Sequence, residues 1–212
     1  MVDNSSQDMI QAHRSIYLSH TMTKEEFVTL LGATQPDILA AQFLAAENVT
    51  AFPNVAEYLS FKERVANYIN DVESVSIVGT GNWRFSLNPD KHLKEFDRAS
   101  DIDVAVISHK RFTDTWEELR RVHRLEWYSF DRWVQERLKR NGQNVYSGFV
   151  TPAWIPGSPS QMRYSFRVTL DKLSDKSVGY RPVKMLYFKN EAEAVDYYKR
   201  GFLLAKRKVE NQ

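Results

Sequence analysis

The 212-residue chain contains no cysteine. Thiol catalysis, cysteine-ligated zinc and a disulfide framework are therefore excluded. No apolar run approaches the roughly 20 residues that a membrane-spanning helix needs. Charge of one sign is also lacking: 29 Lys and Arg face 27 Asp and Glu, a net +2, too little to argue for nucleic acid by itself. The five histidines show no metal-ligand spacing. Neither a repeat nor a low-complexity segment is visible. The first fifteen residues are polar, with Asp3, Asp8 and Gln11, and do not resemble a signal peptide. Together these absences favour a cytoplasmic protein with no membrane partner.

With 42% hydrophobic and 26% charged residues, the chain reads as an ordinary globular protein large enough to bury a core without staples. Met1 to His20 is polar with a weak apolar rhythm, a loose arm or short helix. Thr23-Lys24-Glu25-Glu26 reads as a capping box, opening a helix that Gly32 stops. A second helix starts near Pro36. A third spans about Val55 to Asn70, with Val55, Leu59, Val65, Ala66 and Ile69 as its apolar positions. From Ser74 the period changes. Val75, Ile77 and Val78 read as a buried strand, and Ile102 to Ile107 as another. Asp114 to Arg140 has no Gly or Pro and reads as one long helix, with Leu119, Val122, Phe130, Trp133 and Leu138 inward. Asn141-Gly142 ends it. Ser147 to Ser160 reads as a loop or broken edge strand. Met162 to Leu170 alternates apolar and polar, which predicts a half-buried strand. Val183 to Phe188 is a further strand, and a helix capped at Asn190 closes the chain. This order predicts an α+β fold: a small mixed sheet flanked by helices. Residues 1–70 form a helical N-terminal region, and residues 71–212 carry the sheet.

The chemistry concentrates between Val75 and Ser108. The first strand ends in Gly79-Thr80-Gly81, and the second opens on Asp101-Ile102-Asp103. Glycine lets a backbone turn tightly against a ligand, and a hydroxyl with free N–H groups binds phosphate oxygens. Carboxylates two apart on a strand share a face, where they can hold one or two Mg²⁺ or Mn²⁺ ions beside a phosphate. Arg84 or Lys91 is placed to offset phosphate charge. Each element also has a plainer reading, as a tight turn or a solvated strand start.

Gly79-Thr80 after a strand, with Ser100-Asp101-Ile102-Asp103-Val104 on the next, resembles the nucleotidyltransferase superfamily related to DNA polymerase beta. The likeness covers roughly residues 60 to 110, with Thr in place of the usual Ser. It implies metal-dependent transfer of a nucleotidyl group from a nucleoside triphosphate such as ATP to a hydroxyl of a protein, an RNA or a small molecule. It implies Asp101 and Asp103 as catalytic metal ligands, and Gly79, Thr80 and Gly81 as nucleotide-binding, with Arg84, Arg163 or Arg167 on the phosphates. Stand-alone bacterial members often act in toxin–antitoxin or phage-defence systems. Two departures stand out. Asn82 to Ala99 contains an insertion, and the third carboxylate that the family takes from a later strand is missing. The polar face expected at 162–170 offers Arg163, Ser165 and Arg167, and leaves Asp171 or Asp175 as the substitute ligand. The alternative is a catalytically inactive module of the same fold that senses nucleotides or binds a protein. A nucleic-acid accessory protein, using the long charged helix and the Lys206-Arg207-Lys208 tail, is a third reading. Trp83, just past the glycine turn, is either a core residue or a stacking platform for a base.

Overall fold

A computed structural model describes residues 22–156 and 160–211; the expected N-terminal arm lies outside them. Thr23 does build a capping box with Glu26: its hydroxyl accepts from the Glu26 N–H at 3.2 Å, and the Glu26 carboxylate accepts from the Thr23 N–H at 2.7 Å. Helix α1 (Lys24–Ala33) runs through Gly32 rather than stopping there. Pro36 opens α2 (Pro36–Leu44), where its missing N–H costs nothing. Asn54 caps α3 (Val55–Ile69). The buried face of α3 is Tyr58, Phe61, Val65 and Ile69, while Val55 and Leu59 face outward.

Four strands form one mixed sheet: β1 (Ser74–Val78), β2 (Ile102–Ile107), β3 (Phe149–Val150) and β4 (Val183–Phe188). Their order is β1-β2-β4-β3, with only β2 and β4 parallel. Both faces are covered, which is why β2 is nearly continuously apolar. Ile102, Val104 and Val106 point to one core with Tyr58, Phe61 and Val65 of α3. Ala105 and Ile107 point to the other, with α1, α2 and the C-terminal helix α8 (Glu191–Glu210). At Ile77 the outer edge of β1 is closed by side chains. Tyr58 accepts the Ile77 N–H at 3.0 Å, and the Asn82 amide donates to the Ile77 carbonyl at 2.8 Å. These bonds fix the height of β1 and so of the turn that follows it.

Two expectations need correction. The long helix is broken into α5 (His109–Glu126) and α6 (Arg132–Tyr146). No breaker residue is involved. The Gln135 side chain donates to the carbonyls of Trp127 and Phe130, at 2.9 and 3.1 Å, and satisfies the interrupted turn. Asn141 and Gly142 lie inside α6, and Trp133 is exposed.

The stretch expected as a strand at 162–170 is helix α7 (Gln161–Leu173), capped by Ser160. Met162, Phe166 and Leu170 satisfy helical spacing as readily as alternation, Leu173 continues only the helical one, and all four pack into the first core. No described helix is long and apolar enough to cross a membrane.

Candidate functional site

The ends of β1 and β2 meet because the two strands are antiparallel: Val78 stands opposite Asp103. The next residue, Gly79, adopts φ 65° and ψ −155°, a conformation reserved for glycine. A Cβ there would lie 3.0 Å from Oδ2 of Asp103. Glycine therefore serves twice, in the turn and in the close approach of backbone to carboxylate. Thr80 opens a single helical turn, α4 (Thr80–Trp83). Gly79, Thr80, Asp101 and Asp103 all line a cleft of about 830 Å³.

The insertion builds one wall of this cleft, with Ser86 to Pro89, Lys91, Lys94 and Glu95. Its apolar residues Trp83 and Phe85 are driven into the second core, which anchors the wall. Helix α8 supplies the opposite wall with Tyr197, Tyr198 and Arg200. Lys91 and Lys94 bring cations to the wall built by the insertion, Lys94 being held by Asp97 at 2.9 Å. Arg200 pairs with Asp196 one turn back.

Burial pushes the Asp103 carboxyl above its ordinary value; Lys184 pulls it back, Asp101 pushes it further up, and Lys91 again lowers it. The Tyr197 and Tyr198 hydroxyls are raised, first by burial. Lys184 is the residue that sequence reasoning missed. It lies on β4 level with Asp103, and its Nζ donates to Oδ2 of Asp101. That bond is the main reason its own ammonium titrates above the usual range. Its only signal was position: like Asp103 on β2, it is the one charge near the start of an apolar strand.

The other expected residues fall elsewhere. Gly81 is buried below the cleft, against Ile77 and Ala51, and its carbonyl accepts from Ala51 N–H at 2.7 Å. Arg84 is held by Glu95 through Nε at 2.7 Å and does not line the cleft. Arg163, Arg167 and Asp171 sit on α7, outside the cleft lining. Arg163 donates instead to the Ile155 carbonyl at 3.0 Å. Asp175 is likewise taken, by Arg64. Trp83 is 3% exposed, its ring packed on Phe43, Tyr198 and Phe202, so it is a core residue.

No family model, curated protein or solved structure matches the chain. Among the described residues no group of three or more His, Asp or Glu is placed to hold a metal ion. Asp101 and Asp103 nevertheless fit a hard cation of the Mg²⁺ kind, which takes one or two carboxylates, phosphate oxygens and its own waters. The Lys184 side chain is 64% exposed. An ion pair so wet is weak, and a divalent cation can displace it from Asp101.

Proposed function

We propose that the cleft binds a nucleoside triphosphate with Mg²⁺ or Mn²⁺ and transfers its nucleotidyl group to a hydroxyl acceptor. The observation that carries this reading is the contact of Gly79 with Asp103. It brings a side-chain-free backbone, a threonine hydroxyl and two carboxylates to one point of a cleft whose wall carries lysines. Asp101 and Asp103 would hold the cation. When bound, it neutralises phosphate charge and orients the triphosphate. The Thr80 hydroxyl positions a phosphate oxygen, and the Lys91 and Lys94 ammoniums offset the remaining charge. The acceptor oxygen bonds to the α-phosphorus as pyrophosphate leaves.

The Lys184–Asp101 pair favours a second reading. An ammonium level with Asp103, where a further carboxylate is wanted, suits a module that binds nucleotide without turning it over.

The test is incubation of the protein with each α-labelled triphosphate and Mg²⁺ or Mn²⁺, following pyrophosphate and label. Transfer that Asp101→Asn or Asp103→Asn abolishes supports the enzyme. Metal-dependent binding without release supports the sensing module. Neither release nor binding would remove both readings.

A further inference from the structure

A second cavity, of about 470 Å³, meets the cleft at Asp103. Gly79, Asp103, Tyr197 and Tyr198 line both spaces. The chemistry of the two differs. The cleft carries Lys91, Lys94 and Arg200 and suits a polyanion. The second cavity is walled by Trp154, Phe166, Leu170 and Met185. Among the described residues its lining holds one cation, Lys184, which Asp101 already engages.

We propose that this second cavity is the acceptor site, and that the acceptor is a phenol, a hydroxyl carried on an aromatic ring. The inference rests on the nucleotidyl-transfer reading and names its substrate class. Three features carry it. Asp103 belongs to both cavities, so a group in the second reaches the same carboxylate that faces the triphosphate. The volume falls in the range of small-ligand sites, about 300–1,000 Å³. The walls offer aromatic faces and edges for a ring, and Asp103 and Lys184, paired across β2 and β4, offer polar partners for a hydroxyl, which suits a molecule with an apolar body and a polar tip. An RNA backbone or a second nucleotide would bring several phosphates into a largely apolar space whose described lining holds a single cation, Lys184. In the step itself the phenol oxygen bonds to the α-phosphorus and the bond from the α-phosphorus to the bridging oxygen breaks. Pyrophosphate leaves with the electron pair, and the phenol proton passes to water.

The source of the phenol is either a protein tyrosine or a free small molecule, and the experiment separates them. Wild-type protein with α-labelled triphosphate and Mn²⁺ is offered p-cresol, a tyrosine-containing peptide, glycerol or an RNA oligonucleotide. Binding of p-cresol is measured separately by calorimetry without triphosphate. Label is expected on p-cresol or the peptide, and the preferred one names the source. Leu170→Trp fills the cavity and should weaken p-cresol binding and label transfer about tenfold or more. Ala153→Trp, from an exposed rim position, should do the same without touching the core. Triphosphate binding should stay unchanged in both. Label on glycerol or RNA, with p-cresol ignored, overturns the acceptor assignment and leaves nucleotidyl transfer standing. Absent triphosphate binding overturns the functional reading. In that case p-cresol binding that both tryptophans abolish still supports a phenol site, and no binding refutes it.

Discussion

Replacing Gly79 with alanine acts on the fold and on the site at once. The backbone there has φ 65° and ψ −155°, and holding an L-residue in such a region costs of order 1–3 kcal/mol. The new methyl would also sit 3.0 Å from the Asp103 carboxylate, so that side chain must shift to admit it. A total near 2 kcal/mol corresponds, for a chain of this length, to a fall in Tm of about 4–8 °C. Urea denaturation followed by tryptophan fluorescence measures the stability, and Mn²⁺ titration measures the site. Gly79→Ala should lose both, with the cation affinity falling even where the protein is fully folded. A Tm within about 1 °C of wild type would refute the argument, since neither the conformation nor the close approach would then demand glycine.

Tyr58→Phe removes the hydroxyl that accepts from Ile77 N–H. Leaving that donor buried and unpaired should cost about 1–3 kcal/mol in denaturant unfolding. Asp103→Asn should abolish metal-dependent transfer and yet stabilise the fold at neutral pH. The wild-type carboxyl titrates above its ordinary 3.8 in the folded state, so the native state holds its proton longer, and stability is lost as pH rises through that window. The gain from asparagine should therefore be full above the native pKa and vanish below the unfolded one, which Tm measured across acid pH will show. Gly142→Ala is the counterexample to Gly79. A Cβ there meets nothing within 4 Å, inside helix α6, so alanine should stabilise by about 0.4–1 kcal/mol.

The α+β architecture was legible because β1, β2 and β4 are short apolar runs bounded by turn residues, and because Thr23 and Asn190 cap their helices as their side chains dictate. Gly79 and Asp103 were legible as a pair because a tight turn and a strand opening both leave local marks. What failed was non-local. Met162 to Leu170 has a pattern compatible with either period, and only the core beneath it selects the helix. The break between α5 and α6 is made by Gln135 reaching back across the turn, an interaction with no composition signal. Lys184 became part of the site through the parallel register of β2 and β4, which joins residues 81 positions apart in sequence and cannot be read from either strand alone.

The side chains that close β1 at Ile77 also guard it against other chains. An open strand edge is a template on which another chain can add a strand. At Ile77 both backbone groups are already engaged, by a tyrosine hydroxyl and an asparagine amide of the same molecule. A neighbouring copy or an extended peptide therefore finds no ladder to continue at Ile77. The protein can concentrate without growing its sheet there, and the strand that delivers Gly79 is shielded from being drawn out of register by a passing chain.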